Sequence, residues 1–312
     1  MHNTQVTLSE APVYQGQKHY GVTLGPAFIR QLLADQKFNF DVVSCVSAQS
    51  TTKVLLNVYE DLSKKVETIV KQEKPVFIVG GDHSLSVGSV QGLLHCYPNL
   101  KVLWIDAHAD LNTRQSSLTQ SFHGMPLSFL LGQDDLFAST SWFSYCLKPE
   151  NLIYFGIRDL DLAEHNFLDK LKIEHYSRQD ILRLKLDTVI KYIQQSTMAN
   201  PLHVSLDLDA FDPKMAPSTG VPVSDGLSYF EVEKLLSTLV NTTQMVSYEF
   251  VELNPQIFNR LEDVKASAQI GIDLFKIILK QQLKQRSPYG RRDRRRRSTK
   301  SNIYDSHFEM EI

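Results

Sequence analysis

Six acidic and imidazole side chains recur at short, regular spacing: His83 in Gly80-Gly81-Asp82-His83-Ser84, the set Asp106, His108 and Asp110 in Asp106-Ala107-His108-Ala109-Asp110, and the pair Asp207 and Asp209. In an extended stretch, alternate residues leave the backbone on the same side. Four aspartates gathered in one crevice repel one another, and unless some are protonated the conflict calls for cations. Four carboxylates and two imidazoles, with no cysteine among them, form a hard, oxygen-rich set that suits manganese or magnesium better than a structural zinc; the imidazoles tilt the choice to manganese. Six ligands exceed what one ion with an open position needs. They suit two ions bridged by shared aspartates about 3.5–4 Å apart, an arrangement that activates water for hydrolysis.

The elements that must position these groups are legible around them. Strand candidates are 75–79, 101–105, 152–156, 202–206 and 246–251, each a short apolar or β-branched run. Helical periodicity lies between them, over 25–34, 54–71, 85–96, 125–131, 180–195, 228–239 and 264–284, with Pro26 tolerable in a first turn and Asp180 and Ser228 as N-caps. This alternation predicts an α/β fold, a parallel sheet covered by helices. The conspicuous side chains all follow a strand: Asp82 and His83, then Asp106 to Asp110, Arg158 to Asp161, Asp207 and Asp209, and Glu252. In such a sheet the carboxyl ends of the strands form the ligand crevice, so the clusters converge on one edge. One aspartate after one strand is ordinarily a cap or turn residue. Repetition at four successive strand ends points instead to a site.

At 312 residues and 42% hydrophobic content the chain can bury a sizeable core, and three scattered cysteines, Cys45, Cys96 and Cys146, read as buried reduced thiols. No long apolar run suggests a membrane span, and the first residues lack a secretory pattern, so a cytoplasmic protein is expected. Charge is uneven. Residues 286–312 hold 8 Lys+Arg against 4 Asp+Glu, which leaves 25 against 31 in residues 1–285. A catalytic domain over 1–286 and a basic, disordered tail over 287–312 are therefore expected, the tail binding nucleic acid at most nonspecifically.

The motifs Gly-Gly-Asp-His-Ser, Asp-Ala-His-Ala-Asp-Leu-Asn-Thr, His-Gly-Met-Pro-Leu, Ser-Leu-Asp-Leu-Asp-Ala-Phe-Asp-Pro and Val-Glu-Leu-Asn-Pro, between Gly80 and Pro255, resemble those of the ureohydrolase superfamily and within it the arginases. The resemblance implies a three-layer arginase-like fold with a central, mainly parallel sheet flanked by helices. It implies two Mn2+ per subunit, one held by His83, Asp106, Asp110 and Asp207 and the other by Asp106, His108, Asp207 and Asp209. It further implies a hydrolase of linear amidines that converts L-arginine and water to L-ornithine and urea, by attack of a metal-bridging hydroxide on the guanidinium carbon. Asp209 would orient that hydroxide, Glu252 would pair with the guanidinium, and His123 would shuttle a proton to the leaving amine. A homo-oligomer, trimer or hexamer, is part of the same expectation.

For substrate choice the resemblance assigns the α-carboxylate to Asn112 and Thr119 and the α-ammonium to Asp161, with Glu164 in the same loop. The alternative is a related ureohydrolase acting on agmatine or another guanidino compound. Two departures from the arginase pattern bear on that choice: the loop Arg114–Ser121, in which Arg114 either faces the substrate carboxylate or points to solvent, and Val221, where a threonine is usual.

Overall fold

The computed structural model describes residues 7–14, 16–34, 39–42, 52–144, 146–257 and 260–286. In chain order the strands are β1 (Thr7–Ala11), β2 (Asn39–Val42), β3 (Val76–Gly80), β4 (Lys101–Ile105), β5 (Leu152–Phe155), β6 (Glu174–Tyr176), β7 (Pro201–Asp207) and β8 (Gln244–Val251). The helices are α1 (Gly25–Leu32), α2 (Thr52–Lys71), α3 (Ser86–Leu94), α4 (Pro126–Leu130), α5 (Leu162–Leu171), α6 (Arg178–Leu184), α7 (Leu186–Thr197), α8 (Tyr229–Thr242) and α9 (Leu261–Arg286). The strands form one sheet in the order β2-β1-β3-β8-β7-β4-β5-β6, and every pairing is parallel.

Both faces of the sheet are covered, which is why its strands read as continuous apolar runs. Alternate residues serve the two sides. Phe77, Val79, Leu103, Ile105, Ile153, Phe155, Val204 and Leu206 pack in a core with residues of α1 and α6 to α9. Val76, Ile78, Val102, Trp104, Leu152 and Tyr154 pack in a second core with residues of α2 to α5. The expected three-layer fold is present. On the second face α3 is buried along its whole length, with Gly88 and Gly92 against α2. A Cβ at either would lie 2.5 Å from Tyr59 O or 2.4 Å from Ser63 O, so only glycine lets the two helices approach this closely.

Several boundaries are corrected. β1, β2, β6 and α5 join the predicted elements, and the helix expected over 180–195 is two, broken at Lys185 with φ 69° and ψ 140°. Ser177, not Asp180, caps α6; Asp180 is its capping-box partner three residues on. Ser228 does cap α8, with Glu231 completing the box. The thiols are also less buried than expected: Cys146 is exposed and Cys96 partly exposed, both free, while Cys45 and residues 287–312 lie outside the described residues. No described helix is long and apolar enough to cross a membrane.

Candidate metal centre

The strands that carry the site are neighbours, β3-β8-β7-β4-β5. Val79, Phe250, Leu206, Ile105 and Phe155 pair across them in one row, so the chain leaves all five at one level. There His83 Nδ1 lies 3.1 Å from Asp106 Oδ2, 3.2 Å from Asp110 Oδ2 and 3.0 Å from Asp207 Oδ2. His108 Nδ1 lies 3.0 Å from Asp209 Oδ2 and 3.6 Å from Asp106 Oδ1. The six expected ligands are thus brought together. Two donor groups emerge, His83 with Asp106 and Asp110, and His108 with Asp106 and Asp209, and Asp106 belongs to both.

His83 provides the test of whether a cation fits. Its Nε2 sits 2.8 Å from Ser205 Oγ, and Ser205 donates in turn to Glu249 Oε1 at 2.9 Å. That chain makes Nε2 the protonated nitrogen and leaves the Nδ1 lone pair facing three carboxylates. Nδ1 is buried, and none of the three oxygens lies where a ring N–H would reach it. A proton at Nδ1 therefore lacks a partner in line, whereas a metal ion among the three oxygens satisfies all four groups. The carboxylates make the same demand: burial, followed by neighbouring carboxylates, pushes Asp207 well above the ordinary range and Asp209 up to about 6. Hard divalent cations fit this donor set.

Surrounding groups hold the ligands. The Trp104 indole donates to Asp106 Oδ2 at 2.9 Å, and its ring stacks on His83 with centroids 3.9 Å apart. Asp110 and Glu252 hold positive φ, 49° and 66°, a conformation that persists only where the surroundings impose it. The Asp110 carbonyl accepts from the Leu127 amide, and the Glu252 amide donates to the Gly81 carbonyl. Arg158 pins the loops below. Its guanidinium donates to the carbonyls of Gly156, Asp209, Ala210 and Phe211, and of Val223 and Ser224 in the next loop.

Glu252 is buried beside the expected ligands, its Oε1 accepting from the His83 amide at 2.9 Å. His123 Nδ1 is 3.5 Å from the same oxygen. Burial opposes a proton on His123, but Glu252, Asp110 and Asp82 outweigh it and lift its pKa to about 9. Both Glu252 oxygens also accept from Gln17 Nε2, at 2.9 and 2.7 Å.

At the outer end, Asn112 Nδ2 donates to Asp161 Oδ2 at 2.7 Å, joining the loops after β4 and β5. The other Asp161 oxygen caps α5 by accepting from Ala163 and Glu164. Glu164 is buried behind them, one oxygen accepting from the Leu111 amide and the other from the Asp161 amide, and burial raises its pKa to about 7. Thr119 is not brought to this group: it is exposed and its hydroxyl bonds within its own loop, to Ser117 and Ser121. The hydroxyl that meets Asn112 is Ser116, at 2.8 Å. Arg114 takes the solvent-facing direction: it is exposed, and there it bonds Asp134 and Asp135, at 2.7 and 2.9 Å, which ties the loop to the segment after α4. Val221 is exposed.

Sequence reasoning missed Gln17 and the Ser205–Glu249 pair behind His83, whose partners are distant in sequence. It placed Arg158 at a strand end without the backbone carbonyls it bonds, and noted the loop of Ser116 without the bond to Asn112 four residues back.

Comparison with known proteins agrees with this geometry. The arginase family model matches residues 4–276. Rat mitochondrial arginase-2 is 34% identical over 295 residues, covering 86% of this chain and 83% of the relative. The crystal structure of arginase from Bacillus subtilis superposes with a TM-score of 0.79 at 31% identity, covering 88% of this chain and 98% of that one. That of Entamoeba histolytica arginase in complex with L-ornithine gives 0.79 at 27% identity, covering 88% and 99%.

Proposed function

The chain belongs to the arginase family and hydrolyses L-arginine to L-ornithine and urea, and from that premise we propose that it does so with two manganese ions. The observation that carries the two-ion reading is that Asp106 belongs to both donor groups. One ion is assigned to His83, Asp106, Asp110 and Asp207, the other to Asp106, His108, Asp207 and Asp209. When bound, the ions supply the Lewis-acid charge that makes water nucleophilic at neutral pH.

The remaining work falls to the chain's own residues. Guanidinium is a resonance-stabilised cation and a poor electrophile, so its carbon must be held in place. Glu252, buried and anionic, pairs with two of its N–H groups and fixes that carbon over the ligand cluster. Asp209 accepts a hydrogen bond from the attacking water and so orients it. His123 stands beside Glu252 and donates a proton to the departing amine. Asn112 and Asp161, already paired with each other, take the α-carboxylate and α-ammonium, and Glu164 holds their loops by its two backbone bonds.

The test is turnover by metal-depleted protein reconstituted with manganese, read as urea and ornithine, together with bound metal per chain. Two ions and a preference for arginine over agmatine are expected. A preference for agmatine would overturn the substrate assignment, and full activity with one ion would overturn the two-ion site. A cytoplasmic homo-oligomer, trimer or hexamer, completes the reading, to be checked by cell fractionation and sedimentation.

A further inference from the structure

We propose that Gln17 is a displaceable placeholder for the guanidinium group: in the free enzyme its carboxamide fills the Glu252 carboxylate, and substrate must push it aside. The inference rests on the reading that Glu252 receives the guanidinium.

A lone-pair count carries it. A carboxylate offers about four acceptor positions, two on each oxygen. Glu252 Oε1 accepts from the His83 amide at 2.9 Å and from Gln17 Nε2 at 2.9 Å, which fills it, while His123 Nδ1 at 3.5 Å is an ion-pair contact outside hydrogen-bond geometry. Oε2 accepts from Gln17 Nε2 at 2.7 Å and has one position left. A guanidinium fork needs one position on each oxygen. The His83 amide belongs to the backbone and cannot withdraw. Gln17 therefore has to release Oε1 before the two-point pair can form.

The surroundings confine that movement to the side chain. The Gly16 amide donates to Asp82 Oδ2 at 2.9 Å, and the Gly16 carbonyl accepts from the His123 amide at 3.1 Å. A Cβ at Gly16 would lie 2.5 Å from Asp82 Oδ1 and from Ser84 Oγ, so the backbone is seated where only glycine fits. The Gln17 carboxamide is less well held. Its Oε1 is buried without a hydrogen-bond partner among the described residues. A neutral amide bonded at one end and unsatisfied at the other yields to a cation competing for the same buried carboxylate. While the site is empty the amide keeps the Glu252 charge satisfied, and part of the substrate's affinity is spent on removing it.

The test uses the manganese-loaded protein and two competitive inhibitors of arginine hydrolysis. One is the guanidinium ion; the other is an apolar α-amino acid of similar chain length, which offers Glu252 no donor. Gln17→Met keeps the length and removes the N–H, so the guanidinium Ki and the arginine KM should fall by about three- to tenfold. The Ki of the apolar amino acid should not move. A guanidinium Ki that rises or stays the same overturns the proposal, as does an equal fall in both constants. If that variant fails to fold, Gln17→Asn, which draws the amide back from Glu252, is read in the same way. Glu252→Gln separates the two levels and is read by calorimetric binding of guanidinium, since that variant lacks the group that positions substrate for turnover: binding that survives it unchanged sinks the Glu252 reading itself. Binding lost in Glu252→Gln with the guanidinium Ki unmoved in Gln17→Met sinks only the placeholder.

Discussion

Asp106 and Asp207 directly follow Ile105 and Leu206, which pair across β4 and β7, so the two carboxylates proposed to serve both ions leave adjacent strands at the same level. Each carboxylate is also fixed by an amide two residues on, His108 for Asp106 at 2.7 Å and Asp209 for Asp207 at 2.8 Å. The alternation that puts ligands on one side thus also supplies the donors that aim them.

Because Asp106 serves both donor groups, Asp106→Asn should cost more than the loss of a ligand to one ion. Bound manganese should fall below one per chain and kcat by about 10³-fold, or about 4 kcal/mol in barrier. Asp110→Asn, which touches only the His83 group, should keep close to one ion. Equal metal content in the two variants would contradict the shared role.

Behind the ligands, Ser205 sets which His83 nitrogen faces the carboxylates. Ser205→Ala removes the acceptor for Nε2–H and frees the ring to flip. Manganese affinity measured by equilibrium dialysis should fall about 10- to 100-fold, the usual effect of losing a partner that orients a metal-bound histidine. An unchanged affinity would mean that packing against Trp104 alone holds the ring.

What could be read from sequence follows from burial. β3, β4, β5, β7 and β8 are covered on both faces and announce themselves as apolar runs, and they are the strands that carry the site. β2 and β6 are the sheet's outermost strands, and Glu174-His175-Tyr176 has neither length nor apolar character to mark it. α5 is announced in sequence only by Asp161, which reads equally as an N-cap and as a substrate group, and by Glu164 at capping-box spacing. In the structure one Asp161 oxygen caps the helix and the other meets Asn112. Gln17 meets Glu252 across 235 positions, and no local pattern encodes such a pairing.

The Arg114–Asp134 pair carries a pH signature. Burial works against ionisation of Asp134, but bonds from the Arg114 side chain and amide and from the Leu136 amide outweigh it and hold its pKa below the ordinary value. A depressed folded pKa adds stability that is present above the unfolded carboxylate's value near about 4 and is lost as pH falls through the folded value. Arg114→Ala should therefore lower Tm at neutral pH, modestly because the arginine is 41% exposed, and the gap from the parent should close as the pH drops below about 4. A gap that persists in acid would assign the effect to lost packing.

The arginase family match ends at residue 276, before the arginine-rich segment. Ending the chain after Arg286 should leave kcat/KM for arginine within about twofold, since most changes away from a site and its core are small. A large loss would bring residues 287–312 into the catalytic unit.

Asp161 caps α5 and is proposed to take the α-ammonium, and the two roles can be separated by substitution. Asparagine caps helices about as well as aspartate, so Asp161→Asn should keep the bonds from the Ala163 and Glu164 amides and leave Tm nearly unchanged. It removes the negative charge assigned to the α-ammonium, and the arginine KM should rise about tenfold or more, the weight of one charge-assisted hydrogen bond. Agmatine lacks the α-carboxylate but not the terminal ammonium, so its KM should rise as well. Asn112→Ala should instead raise the KM of arginine alone. Asp161→Ala adds loss of the cap, at about 1 kcal/mol, and should lower both Tm and affinity. If Asp161→Asn leaves the arginine KM in place while Asp161→Ala lowers Tm, the residue is a helix cap and the ammonium is held elsewhere.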